Sequence, residues 1–462
     1  MAGVTDRLGR LLERAAPRGD IEPVPTEGRE LSGLDMGVLW GDLSVGILVL
    51  FTGALLVPAM ALPAAIGAIA VGSLLGCLPL AAVAADGART GRPTMALLRP
   101  VLGERGSYVP SAINAVQLIG WAAFEFWAMA GIANAVSRSA FGLDIYGAWL
   151  VVIAAVCIAL AMAGPVVFVR RWLERFGIFV LLGAGAWLTF RVATSGDLGG
   201  AWRAPGLGGL GFWVAVDLVI AMPVSWLPLV ADYGRFARSP RAAFVGTYGG
   251  YVLGNVWFYA LGALLVLVAG SSATVLGIGA ALIALGGGAV VLLALLVGET
   301  DGAFANLYST ATSVRNIGPI LPGRRLTLVA GIAAFALAAV LGESAETFEL
   351  FLLTIGSVFV PLFGVYFAHR LVRPGPARAW CDPGALTAWV VGFGVYQWSI
   401  PSPLPAWSAG VEWFFADLLG APFPLFGGAL GASIPSFVVA SALGIVAFGL
   451  PRRTRVIRPP RG

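Results

Sequence analysis

Lysine is absent from the 462 residues, so all 29 basic side chains counted as Lys or Arg are arginines. Histidine occurs once, at His369. That excludes a histidine-built metal site or an imidazole-rich catalytic centre. The three cysteines, Cys77, Cys157 and Cys381, are odd in number and lack metal-type spacing. Neither a disulfide framework nor a zinc site is expected from them, and buried, inert thiols are. Charge of either sign is scarce, at 11%, where a soluble domain carries roughly a quarter. The segment Met1–Ser32 is polar and has no short apolar region with a small-residue cleavage site, so it reads as a cytosolic tail and not as a signal peptide.

What fills the chain is apolar: 58% of residues are hydrophobic and the mean hydropathy is +0.88. A bilayer-spanning helix needs about 20 mostly apolar residues. Twelve such runs are expected, at roughly 36–58, 62–85, 109–136, 146–166, 173–193, 210–231, 244–269, 288–314, 326–342, 348–370, 385–402 and 431–450. A short external helix near Thr274–Leu285 precedes the eighth, and the loop Pro401–Leu430 suits an interfacial cap. With both termini inside, only Arg138, Arg191 and Arg203 fall on the outer side. The other arginines face the cytosol, as the positive-inside rule requires. The net charge of +5 therefore reads as membrane topology in a multi-pass inner- or plasma-membrane protein, not as nucleic-acid binding. The expected divisions are a tail at 1–35, a first half at 36–193, a second half at 210–370, two further helices within 385–450, and a C-terminal cytosolic tail at 451–462.

Ionisable groups inside a bilayer cost about 2.5–3.5 kcal/mol each on insertion scales. Asp42, Glu125, Asp217, Glu299 and Asp301 all fall within expected spans, and no Arg lies deep enough to pair with them. Bound cations, protonation or a wet cavity would account for them. Placement nearer an interface is the alternative for Asp42 and Asp217.

Two spans look interrupted. The first carries Gly41, Ser44, Gly46 and Gly53; the sixth carries Pro223 and Pro228 around Ser225. A proline within a helix removes a hydrogen bond, and freed backbone groups at membrane depth need protein, water or an ion. Each break alone also reads as ordinary glycine packing or a proline kink. Together, five spans apart and oppositely oriented, they match a five-plus-five inverted repeat with its site at the breaks.

In the third span Gln117, Trp121 and Glu125 share a helix face. An aromatic plane, an amide and a carboxyl suit a flat heterocycle with ring nitrogens and an exocyclic amine. Helix packing is the alternative for all three. In the eighth span Asn306, Ser309, Thr310 and Ser313 form one polar stripe at i, i+3, i+4 and i+7. Hydroxyls, Asp301 and freed first-span carbonyls could ligate a hard cation such as sodium, although Ser and Thr also join helices routinely.

These features resemble the nucleobase:cation symporter-1 family, the cytosine, purine, allantoin and hydantoin permeases. The stretches that carry the resemblance are "TGALL" (52–56), "ARTGRPTMALLRPVLGERGSYVPSAINAVQLIGW" (88–121), "ADYGRFAR" (231–238), "ANLYSTATS" (305–313) and "PLFGVYFAHRLVRP" (361–374). "LSGLD" (31–35), "AMPVSWLPLVADYGRFAR" (221–238), "AWVVGFGVYQW" and "ASIPSF" look most like the hydroxymethylpyrimidine transporters of thiamine-precursor salvage. The resemblance implies an all-α membrane protein of twelve helices, the LeuT-like five-plus-five repeat with discontinuous helices one and six, plus two C-terminal helices. It implies a site between spans one, three, six and eight, with Trp121 stacking on the substrate ring and Gln117 and Glu125 beside it. Ser225, Trp226 and Asn306 join them as candidates. Family members often have an amide where Glu125 stands. Where the cytosine permease pattern has an aromatic, nine residues before the Asp of "ADY", this chain has Pro223, and Trp226 follows one turn later. The implied cation site falls on Gly46, Val49, Ser309 and Thr310, with Asp301 near.

The expected function is cation-coupled secondary uptake of a pyrimidine, hydroxymethylpyrimidine first and cytosine or a purine next, driven by Na+ or H+. No cofactor and no catalytic residue is expected. A channel would need a continuous polar pore, and a membrane enzyme a nucleophile–base pair or metal cluster; neither pattern is present.

Overall fold

The first apolar run does not form one rod. In the computed structural model, which describes residues 22–163, 178–341, 345–372, 380–402 and 404–449, it splits into α1 (Gly33–Asp42) and α2 (Ile47–Ala54), bent by 63°. The helices that follow are α3 (Leu62–Thr90), α4 (Thr94–Leu102), α5 (Tyr108–Phe141), α6 (Tyr146–Ala163), α7 (Ile178–Ser195), α8 (Leu198–Arg203) and α9 (Phe212–Trp226). After the short α10 (Val230–Gly234) come α11 (Pro240–Ala269), α12 (Val275–Ala284), α13 (Gly288–Ile317), α14 (Gly323–Val340), α15 (Ala345–Val372), α16 (Pro383–Ser399), α17 (Pro405–Glu412) and α18 (Ser433–Gly449). Residues 1–21 of the expected tail 1–35, the tail 451–462, the basic loop Arg170, Arg171 and Arg175, and Glu343, Arg373 and Arg378 lie outside the described residues.

Among the described residues, length and hydropathy alone qualify six helices as membrane-crossing, and seven if the bent pair is one span. The remaining expected spans correspond to α6, α7, α9, α16 and α18. The short external helix forms as α12, capped by the Thr274 hydroxyl on Gly277 N. The sixth span is shorter than its expected 210–231: α9 stops at Trp226, and the chain resumes as α10.

Both breaks have local causes. A capping box of Ser32 and Asp35 starts α1. At its end the ladder tightens, with Ser44 N bonding Gly41 O and Val45 N bonding Asp42 O. Gly46 then runs fully extended before α2 restarts. Pro223 sits inside α9 without ending it, and the break falls after Trp226. Pro228 has no N–H for Val224 O, which takes Leu227 N instead, and Leu229 N bonds Trp226 O. The Ser225 carbonyl thereby loses its helical donor.

The broken span lies along α11. A Cβ on Gly33, Gly37 or Gly41 would rest 3.5–3.6 Å from backbone atoms of Ala242, Gly246 or Gly250. Further out, α2 crosses the same helix between Gly53 and Gly262. Small residues let the backbones meet this closely. α5 and α13 pack along their lengths, joined by a seam of polar side chains. Asn114 donates to Ser313 Oγ (2.8 Å), and Asn316 donates to Ser111 Oγ (2.9 Å) and Ser107 Oγ (3.2 Å).

A backbone stitch fastens the segment before α1. Leu31 N donates to Phe236 O and Arg238 N to Leu31 O, both at 2.9 Å. Val24 N bonds Gly91 O (2.8 Å), and the Arg29 guanidinium reaches Ala88 O (2.8 Å). Nearby, Thr94 N donates to Asp232 Oδ1 and Ala231 N to Thr94 Oγ1, tying α4 to α10.

Candidate functional site

The break in the first span faces a cavity of about 40 Å³. That is room for a few waters. From the break itself come Asp42, Gly46, Leu48 and Val49; α5 adds Trp121 and Glu125; α9 adds Met222 and Trp226. The fourth wall is α13, with Gly298, Glu299, Asp301 and Gly302. The four elements are the four that the sequence singled out.

Each acid on this wall is held differently. Glu299 Oε1 accepts from Ile47 N at 2.5 Å, capping the restarted half-helix α2. A carboxylate at a helix N-terminus meets an otherwise orphaned donor and the favourable end of the macrodipole. Gly46 makes this possible, because a Cβ there would collide with Glu299 Oε1. Asp42 and Asp301 lie within hydrogen-bonding reach of each other, while Asp42 Oδ1 and Asp301 Oδ1 are buried with no partner. Two carboxyls so placed share a proton or a cation, and their oxygens suit a hard ion. Glu125 receives the Asn306 amide on both oxygens, at 3.0 and 3.1 Å. Gly302 leaves the notch that its carboxyl occupies, since a Cβ there would strike Glu125 Oε1.

Two tryptophans supply the aromatic surface. Trp121 is held edge-on by Phe348 and Phe351, at centroid distances of 5.9 and 5.2 Å. Its Nε1 is buried with no partner. Trp226 packs edge-on against Trp40 at 6.1 Å.

Several candidates stand behind the cavity instead of lining it. The Gln117 amide nitrogen is committed to protein, donating to Ser225 O (2.9 Å), the carbonyl freed by the break, and to Asn114 Oδ1 (2.8 Å), while its Oε1 is buried with no partner among the described residues. The Ser225 hydroxyl returns to Met222 O (2.7 Å), and Asn306 is spent on Glu125. Thr310 Oγ1 donates to Asn306 O within α13 (2.8 Å), and Ser309 is buried further along that helix. Neither hydroxyl is among the lining residues. Nor is the Gly46 carbonyl wholly free, because it accepts from Leu50 N at 3.1 Å. Asp217, the fifth intramembrane acid, is also elsewhere. It accepts from Ala432 N (2.6 Å) and Ser433 N (3.0 Å) and caps α18.

Sequence reasoning noted Asp42 and Glu299 as costly acids without placing them in the site. Gly302, directly after "ETD", and Gly46 in the first span were the available signal, because a notch for a carboxyl needs a residue without a side chain.

An all-helical bundle with a cavity at a broken first helix, facing an interrupted sixth, is the LeuT-like secondary-transporter fold. The chain superposes on Mhp1, a nucleobase-cation-symport-1 family transporter, in a closed conformation with bromovinylhydantoin bound, with a TM-score of 0.73 at 17% identity over 93% of this chain and 94% of that one. The inward-facing conformation of Mhp1 gives the same TM-score, covering 93% and 92%. A Na+-coupled sialic acid symporter in a substrate-bound outward-open state gives 0.64 at 14% identity, covering 96% and 95%. The protein belongs to the permease family for cytosine/purines, uracil, thiamine and allantoin, which matches residues 23–375. This is a family of permeases, not of enzymes. The chain is also 29% identical over 255 residues to "Putative purine-cytosine permease YxlA" of Bacillus subtilis (strain 168). That match spans 54% of each protein, so the chain aligns with about half the length of this curated relative.

Proposed function

We propose that the protein is a cation-coupled secondary transporter for a nucleobase-like heterocycle, working by alternating access between the halves 36–193 and 210–370, with both termini in the cytosol. The observation that carries this reading is the cavity at the broken span, where Trp121 and Trp226 offer ring surfaces beside the Glu125 carboxyl. Trp121 stacks on the substrate ring and Glu125 accepts from its amine. Gln117 and Ser225 hold the broken sixth span in place behind them. Asp42 and Asp301, which line the cavity together, bind the driving ion, Na+ or H+; Gly46 and Val49 line it as well. Hydroxymethylpyrimidine is the favoured substrate on the resemblance of "LSGLD" and "AMPVSWLPLVADYGRFAR", and the Glu125 carboxyl suits its exocyclic amine; cytosine, which shares such an amine, or a purine is the alternative. A ligand drives the cycle only through its differential affinity for the two states.

The test is a thermal-shift screen of purified protein against pyrimidines and purines, with and without sodium, repeated on Trp121→Ala. One ring class should stabilise the wild type and not the variant. Stabilisation that requires sodium identifies it as the coupled ion, whereas sodium-independent uptake that a protonophore collapses identifies protons. Equal stabilisation of wild type and Trp121→Ala would remove Trp121 from the site.

A further inference from the structure

The four carboxyls of the cavity are neutralised unequally, and the imbalance points to the charge of the substrate. No Arg or His is among the lining residues, and the chain has no Lys. Glu299 has the N-terminus of α2. Asp42 and Asp301 have each other and whatever proton or ion they share. Glu125 has one neutral amide, that of Asn306, spread over both oxygens. The titratable groups around it bring no positive charge: Glu299 on α13 is another acid, and the Cys157 thiol on α6, which also lies near Asp301, is neutral. Its side toward α13 is closed by Gly302 and Asn306, while Glu125 itself lines the cavity. Each carboxylate oxygen has two lone-pair sites, so one per oxygen is left for a ligand. A buried carboxylate with no cation in reach is costly, and either a proton or a cation that the ligand brings relieves it; only the second leaves both oxygens free to accept.

We infer that the site takes its heterocycle as a cation, a ring protonated at the nitrogen next to the carbon that bears an exocyclic amine, with this amidinium-like edge laid across both oxygens of Glu125. The two N–H donors of such an edge match the two carboxylate oxygens, the same fork geometry that makes bidentate pairs strong. The flat cation lies against Trp121, whose ring face attracts positive charge. A neutral aminopyrimidine presents one donor and one acceptor along that edge. The acceptor would face a carboxylate oxygen, and one contact would become repulsive. The substrate thus carries its own positive charge through the bilayer, separate from the ion at Asp42 and Asp301.

This inference rests on the transport reading above, and the experiment keeps the two apart. Binding to purified protein is measured at one fixed pH and one sodium concentration for 2-amino-5-nitropyridine, 2-aminopyridine and 2-amino-4-methylpyridine, which rise in basicity. The series also includes 2-methylpyridine, which lacks the amine, and cytosine and uracil as neutral rings. Affinity should rise with basicity along the amine series. The most basic member should bind at least about tenfold tighter than the nitro compound, the scale of one charge-assisted contact. Glu125→Asp should keep that slope and Glu125→Gln should lose it. A flat series alongside binding of cytosine or uracil overturns the cationic edge and leaves the transport reading standing. A slope that survives Glu125→Gln overturns the assignment to Glu125. Failure of every ring, hydroxymethylpyrimidine and the purines of the screen above included, to bind folded protein overturns both readings.

Discussion

Removing the Glu299 carboxyl exposes how much the broken first span depends on it. In wild type, Ile47 N donates to Glu299 Oε1 inside the protein, and both oxygen and donor are shielded from water, Glu299 being 8% exposed and Ile47 0%. A hydrogen bond to a charged group contributes about 1.5–3 kcal/mol net, and a buried N–H left without a partner costs about 1–3 kcal/mol. These describe overlapping parts of one loss, so about 3 kcal/mol is the expected effect of Glu299→Ala, close to a hundredfold in the folding equilibrium. Glu299→Gln keeps an acceptor for Ile47 N and loses only the charge at the helix end, about 1 kcal/mol or less. Unfolding of purified protein in mixed detergent micelles should therefore rank wild type above Gln above Ala. Gly46→Ala adds an independent check, because its Cβ would occupy the place of Glu299 Oε1. It should destabilise the wild type and do much less harm in the Glu299→Ala background, a coupling that a double-mutant cycle measures. Equal stability of Glu299→Ala and wild type, or strictly additive effects of the two substitutions, would refute the capping argument.

The crossing of α1 and α11 should be asymmetric. A Cβ on Gly37 meets Gly246 O at 3.6 Å, an ordinary contact, whereas one on Gly250 would overlap Gly37 O and sit 2.9 Å from Gly37 Cα. Gly37→Ala should leave the melting temperature nearly unchanged, while Gly250→Ala should cost about 1–3 kcal/mol, as overpacked cores do; comparable melting of the two variants would contradict it. Asp217→Asn puts an amide group against one of the two N–H donors at the start of α18. About 1–3 kcal/mol of stability should be lost, read as earlier thermal unfolding, and Asp217→Glu should recover part of it.

How far the sequence reveals this arrangement depends on whether a feature is local. The composition of "GDLSVG" announces a broken helix, because glycine and serine weaken a helix wherever it lies. The Gln117–Trp121–Glu125 face follows from helical periodicity alone. The partners do not follow. Ile47 and Glu299 are 252 positions apart, and Asp217 reaches the start of α18 across 215, so only the packed bundle reveals which acid caps which helix. Gln117 illustrates the difficulty: its spacing puts it beside Trp121, yet the carbonyl freed at Ser225 captures it. The stripe at Asn306, Ser309, Thr310 and Ser313 is real as a helix face, but two of its members serve Glu125 and Asn114. Polar spacing marks a face and leaves open whether that face meets ligand or protein.

The paired bonds at Leu31, with Val24 and Arg29 anchored at the end of α3, leave the entrance of α1 no slack. That helix cannot swing by itself: any tilt must haul the ends of α3 and α10 with it, and α11 as well, whose backbone it touches. If this end of the molecule moves in the proposed cycle, it should move as a slab several helices thick, with the hinge beyond those helices and not at the foot of one.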